Sequence, residues 1–293
     1  MMGAGMKLLV AYLATPGGED AVALGVTLAR TVGASLDITL VIPPGDPADS
    51  SDANLSAILD ETAEKWLAQA AALLPDDVRA ETHVAVNENP ASGLIAEAER
   101  LESSILIVGG SGGGITGRHS LGSVVNDILH SSPIPVVLAP SGFRHTGPAR
   151  IREITAAIGP RPGAETILDT AVDLSARGDL PLRLLSLVSR DDLPRRAPDD
   201  EALARAIELS QRTLDAAHAR LPESIGVSST VARGDSVEDA VGTVEWHEGD
   251  LILVGSSRLA APDTLFLGST AAKMLRVLAE PMVVVPRRDQ SSA

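Results

Sequence analysis

The chain has no cysteine. That excludes disulfides, thiolate metal ligands and cysteine nucleophiles, and it fits a reducing, cytoplasmic setting. Aromatic residues make up 2% of the 293 positions, so Ala, Val, Leu and Ile must fill the cores. Lysine is confined to Lys7, Lys65 and Lys273, and arginine carries most of the positive charge. No apolar run approaches the ~20 residues that span a bilayer. The apolar start, Lys7 to Ala14, mimics a short signal peptide. It is read instead as a strand, because the same segment recurs in mid-chain. Positive charge is scarce overall: 24 Lys and Arg face 39 Asp and Glu, a net charge of −15. Such a chain repels phosphate backbones at long range and has no basic stripe, which disfavours nucleic acid as a partner. Backbone N–H groups still allow a local anion site.

What is there is a duplication. Ile105 to Gly109 reads ILIVG, and Leu251 to Gly255 reads LILVG, 146 positions later. Thirteen residues after each final glycine stands Gly-Ser: Gly122-Ser123 and Gly268-Ser269. A helical stretch follows each pair, then a proline-led apolar run, PVVLAP from Pro135 and PMVVVP from Pro281. The same offset aligns Pro16-Gly17 with Pro162-Gly163 and Glu19 with Glu165. Self-similarity on this scale means duplicated domains, not a solenoid repeat. The expected domains are residues 1–146 and 147–293. Ser141 to Arg150 (SGFRHTGPAR) reads as a polar linker between them.

Each half reads β-α-β-α-β-α-β-α-β. In the first, strands are expected at Lys7–Leu13, Leu36–Ile42, Thr82–Val86, Ile105–Val108 and Pro135–Leu138. Helices are expected at Asp20–Thr31, Leu55–Leu74, Ser92–Leu101 and Ser123–His130. This alternation implies an α/β fold, a doubly wound parallel sheet with helices on both faces. Ligands of such sheets bind at the carboxyl ends of strands, where the strand order reverses.

The turn after the fourth strand is the main candidate site. Gly109 and Gly112 let the backbone turn sharply and approach an anion with no Cβ in the way. Gly122 and Ser123 open a helix whose first N–H groups lack intrahelical partners, so they and the helix dipole favour a phosphate. The Ser123 hydroxyl adds a donor. The structural alternative is that the glycines serve only tight turns and close helix–sheet packing.

Gly109-x2-Gly112-x9-Gly122-Ser123 is similar to the ATP-binding signature of universal stress proteins, and the likeness extends along both halves. The resemblance implies two five-stranded sheets of order 3-2-1-4-5 and a regulatory, non-catalytic role in the stress response. It implies ATP, with or without magnesium, as cofactor: phosphates on Gly109, Gly112, Gly122, Ser123 and Val124, and adenine near the backbone of Val41. It also implies last strands that pair across a dimer, making the two halves an internal pseudo-dimer; a homodimer and unnamed protein partners stay open. Two departures matter. Nucleotide-binding members usually carry an aspartate at the end of the first strand, and that position falls on Leu13 here and on Gly159 in the second half. The second motif reads Gly255-Ser256-Ser257-Arg258, then Gly268, Ser269 and Thr270, so Arg258 replaces a glycine. The second half is therefore expected to serve architecture more than binding.

Other signals are weaker. Gly112 to Gly117 fits G-x-G-x-x-G, but its helix begins too late, and Arg118 and His119 spoil a Walker loop. His83, His130, His145, His218 and His247 show no metal-ligand spacing, so no metal site is expected. Asp76-Asp77 and Asp191-Asp192 read as solvated turns. Two alternatives to nucleotide regulation remain. One is a protein-interaction scaffold of the same fold that binds no nucleotide. The other is a nucleotidyl transferase or pyrophosphatase, whose motifs near the first strand are absent.

Overall fold

The computed structural model describes residues 5–44, 52–110, 121–160, 164–193, 199–257 and 264–287, with side chains at 52–57, 192 and 199 left aside. The first half runs β1 (Lys7–Ala11), α1 (Pro16–Val32), β2 (Ser35–Ile42), α2 (Asp52–Ala72), β3 (Ala80–Val86), α3 (Pro90–Arg100), β4 (Ile105–Gly109), α4 (Ser123–Ile128) and β5 (Val136–Ala139). A short helix, α5 (Phe143–Thr146), joins it to the second half. That half runs β6 (Glu153–Ala157), α6 (Ala164–Gly178), β7 (Leu182–Ser189), α7 (Asp199–His218), β8 (Val227–Gly234), α8 (Val237–Gly242), β9 (Asp250–Gly255), α9 (Ser269–Val277) and β10 (Met282–Val285).

Local chemistry sets the boundaries. Thr15 accepts from the Gly18 amide and caps α1, Pro16 opens it, and Gly33 at φ 69° ends it in the left-handed region. Asn89 caps α3 in the same way, ahead of Pro90. Ser236 and Asp239 form a reciprocal capping box on α8.

The strands form one ten-stranded sheet of order β3-β2-β1-β4-β5-β10-β9-β6-β7-β8. Each half therefore has the order 3-2-1-4-5, as expected. All pairings within a half are parallel, and the pairing between halves, β5 with β10, is antiparallel. At that seam Met282 faces Leu138, Val283 faces Val137 and Val284 faces Val136. Residues of these central strands alternate between two cores, one on each face. Leu8, Val10, Ile107, Val137 and Val283 join one core with α1 and α6. Leu9, Leu106, Val108, Leu138 and Met282 join the other with α3, α4 and α9. Each core runs through both halves, which explains how so few aromatics suffice.

The junction differs from a simple polar linker. Asp20, 1% exposed on α1, accepts hydrogen bonds from the amides of Gly142 and Arg144 at 2.8 and 2.9 Å, and from the Arg144 guanidinium at 2.9 Å. Thr27 donates to the Pro148 carbonyl, and Thr31 accepts from the Ile151 amide. Phe143 is buried in the first core. The segment between the halves is thus fastened to α1 along its length. Its polar residues look solvated in sequence because their partners lie more than a hundred positions away.

On α3, Arg100 donates to both carboxylate oxygens of the buried Glu97, at 2.8 and 2.5 Å. These hydrogen bonds hold the Glu97 carboxyl below its ordinary range against the opposing effect of burial, and the charges of Arg100 and His83 assist. A depressed folded-state pKa contributes stability above the unfolded value of about 4.3, and that stability is lost as pH falls through the folded value. Glu97→Gln should lower the melting temperature at neutral pH, and the gap to the parent should close below about pH 4. Thermal melts at stepped pH read this directly; a gap that persists in acid would remove the carboxylate from the account.

Candidate functional site

The strand order reverses between β1 and β4 in the first half, and between β6 and β9 in the second. The carboxyl ends of these strands are where an open α/β sheet offers a crevice.

In the first half Gly109 ends β4, and Gly122 is the N-cap of α4 with extended backbone. No side chain caps that helix among the described residues, so its first turn presents backbone N–H groups, those of Ser123 and Val124 included. Gly109 has a second duty that sequence alone left open. A Cβ on it would fall 1.8 Å from the Gly17 carbonyl oxygen, and one on Gly17 would fall 2.0 Å from the Gly110 oxygen. The start of α1 thus rests backbone to backbone on the end of β4. This close approach requires glycine whether or not a phosphate is bound.

Leu13 lies beyond the end of β1 rather than within it, with its side chain half exposed. The polar side chain of that loop, Thr15, is engaged in capping α1. Val41 sits near the carboxyl end of β2, its side chain packed where a Cβ on Gly93 of α3 would meet it at 2.8 Å. Gly112 and His119 lie outside the described residues, as does Arg258.

The second half carries the counterpart. Gly255 ends β9, and Gly268 is the N-cap of α9, again with no side-chain cap among the described residues. Ser269 and Thr270 open the helix. The turn after β9 is tied down: the Ser256 hydroxyl accepts from the Phe266 amide at 2.7 Å, and the Ser257 amide donates to the Phe266 carbonyl at 2.8 Å. In front of these elements lies a cavity of about 350 Å³, within the range usual for small-ligand sites. Gly159, Gly255 and Thr270 line it together with Leu185, Leu187 and Val188. A Cβ on Gly159 would meet nothing within 4 Å, so the position that lacks an aspartate opens onto free space. No described residue lining the cavity is acidic, and Arg287 is the cation among them. In a chain of net charge −15 this is a place where an anion escapes carboxylate repulsion. The half expected to serve architecture therefore holds a room of ligand size.

Those two switch points sit in a recognised frame. The model of the universal stress protein family matches residues 6–140 and 150–286. The chain belongs to the universal stress protein family. A universal stress protein of Mycobacterium tuberculosis is 26% identical over 302 aligned positions, covering 96% of this chain and 100% of the relative. A universal stress protein of Archaeoglobus fulgidus has a solved structure with TM-score 0.62 and 19% identity, covering 96% of this chain and 98% of that one. A putative universal stress protein of Pseudomonas aeruginosa gives TM-score 0.58 at 18% identity, over 97% and 94% of the two chains. At such identities the structural likeness establishes the fold alone.

Sequence reasoning missed two clusters at the opposite, amino-terminal end of the strands. In the second half, the fully buried Asp250 accepts from Arg152 at 2.7 Å and from Arg183 at 3.3 Å, while Arg183 also lies over the Trp246 ring. In the first half, Asp37, Glu81 and His83 offer ligand atoms all within 4.8 Å of one another. Spacing along the chain could not reveal this trio, because the β2–β3 register assembles it. No helix among the described residues is long and apolar enough to cross a membrane.

Proposed function

We propose that this chain is a regulatory stress-response protein that binds adenine nucleotide, with at most slow incidental hydrolysis. In the first half Gly109, Gly112, Gly122, Ser123 and Val124 hold the phosphates of ATP, and backbone near Val41 meets the adenine. In the second half Gly255, Gly268, Ser269 and Thr270 take the same places, with Leu185, Leu187 and Val188 as apolar walls for a base. The observation that carries this reading is a pair of helices, α4 and α9, that open on glycine without a side-chain cap beside a switch-point strand. Magnesium would enter with the phosphates, since no described carboxylate lines the cavity to hold it. The same lining offers no carboxylate or histidine as general base, so turnover would be slow. Binding would shift the affinity for protein partners in the cytoplasm.

One observation favours a second reading, a scaffold of this fold without nucleotide. The space beside Gly109 is filled by Gly17, and Leu13 contributes no acceptor side chain for a ribose. Mass spectrometry of ligand released from gently purified protein separates the two, with calorimetry for ATP on the parent, Gly122→Val and Gly268→Val. Co-purified ATP is expected. Each variant should weaken the site of its own half by about tenfold or more, because a branched side chain at the N-cap stands where the phosphate must approach the backbone. Gly268→Val should fold, because a Cβ there meets Ser257 at an ordinary 3.4 Å. Absence of both co-purified ligand and calorimetric heat would leave the scaffold reading standing.

A further inference from the structure

The trio on β2 and β3 remains without a role in nucleotide binding. Asp37 is the third residue of β2, so it lies toward the amino-terminal end of the sheet, away from the glycine turn. The parallel register sets Asp37 beside Glu81 and Thr39 beside His83, so all four project from one face. His83 Nε2 lies 2.7 Å from Asp37 Oδ1. Asp37 is 6% exposed, and its other oxygen, Oδ2, is buried with no hydrogen-bond partner. An unpaired carboxylate oxygen in that position is costly to bury.

The neighbouring cations do not relieve it. Arg100, close enough for the charge of Asp37 to be felt at its guanidinium, is held by both oxygens of Glu97. Among the described residues Arg79 pairs with Glu81, at 3.4 Å in an exposed pair of little energetic value that leaves Glu81 able to turn. The duplicated half shows what a closed version looks like. There the position of Asp37 is taken by Arg183, and the charge is balanced by Asp250 and Glu153. The β8 positions that correspond to Glu81 and His83 are Ser228 and Thr230, so the trio has no repeat.

We propose that Asp37, Glu81 and His83 form a binding site for a divalent transition metal ion of the zinc type. One imidazole nitrogen and two carboxylates suit such an ion, with a further position left for water, and the imidazole disfavours the harder magnesium and calcium. Bond lengths near 2.0–2.2 Å place ligand atoms roughly 3.3 Å apart. His83 and Asp37 must therefore part by about half an ångström from their present 2.7 Å. Both His83 and Glu81 sit on the edge strand β3 and are partly or wholly exposed, so they can make that adjustment. The ion would tie the edge strand to β2 and reach the unpaired carboxylate.

The test uses the full chain without an affinity tag, stripped with chelator and titrated with zinc chloride by calorimetry. Cobalt(II) absorption serves as a spectroscopic check on imidazole ligation. One zinc per chain is expected, with little competition from magnesium or calcium. His83→Gln and Glu81→Gln lie at accessible positions and should stay folded by circular dichroism. Each should weaken zinc binding at least about tenfold, since even partners one shell out from a metal carry that much. Gly122→Val should bind zinc like the parent, which keeps this result separate from the nucleotide reading. No stoichiometric zinc binding, equal binding of magnesium, or unchanged affinity in both β3 variants overturns the site.

Discussion

Val283→Asp is expected to abolish the single cooperative unfolding of this protein. Val283 lies on β10 at the seam between the halves, opposite Val137, and is completely buried. Its other strand neighbour is Leu253 of β9. A carboxylate placed there has no cation to meet among these apolar neighbours, and burying it costs several kcal/mol. Total stabilities are only about 5–15 kcal/mol, so one such group removes much of the margin. The seam is also short, with three facing pairs. The expected product is insoluble chain, or two halves that melt separately. Val283→Ala deletes two methyl groups and should cost only about 2 kcal/mol. Val86→Asp, on the exposed part of edge strand β3, should stay within about 0.5 kcal/mol of the parent. Scanning calorimetry with hydrogen exchange at β5 and β10 reads all three. A Val283→Asp protein that melts as one unit near the parent temperature would show that the halves do not depend on this seam.

Asp20→Ala should give the second largest loss. The Asp20 carboxylate gathers two backbone amides and one guanidinium from the segment that joins the halves. Removing it leaves those donors facing a buried void, and breaking a buried ion pair from one side costs about 3–5 kcal/mol. For a chain of this size that is roughly 10 °C in melting temperature. Arg144→Ala should cost less, because the amides of Gly142 and Arg144 still satisfy Asp20. Hydrogen exchange should show both amides losing protection in Asp20→Ala alone. Equal exchange in parent and variant would mean that Phe143, buried in the core, anchors α5 without help.

The features easiest to read in the sequence were those written locally and twice. Strand and helix alternate at a constant offset, and the central strands have apolar runs, whereas the edge strands β3 (AETHVAV) and β8 (VSSTVARG) do not. Glycine spacing is itself a signal, and it pointed to Gly109 and Gly122, which end β4 and cap α4. What escaped was whatever a single side chain does across a long separation. Asp20 reads as one more charge in a helix, yet it organises a junction more than 120 positions away. The copy offers no warning, since its counterpart is Thr166. Asp37 and His83 are 46 positions apart, and only the register of β2 against β3 joins them. Gly109 was legible as a necessary glycine, but not that Gly17 shares the reason. The cavity of the second half escaped because Arg258 drew attention to what the turn had lost, whereas its walls come from β7 and α6 to α9.

The antiparallel meeting of β5 and β10 has a consequence for how the molecule can change. Identical chains paired about a twofold axis must carry every substitution twice, once at each end of the assembly. Here the partners are consecutive stretches of one polypeptide, present in equal number and held together without the loss of translational freedom that separate subunits bear. Each half can therefore drift by itself while the other keeps the pairing intact. Arg183 with its anions at one end, and Asp37 with His83 at the other, are two independent outcomes at one original position.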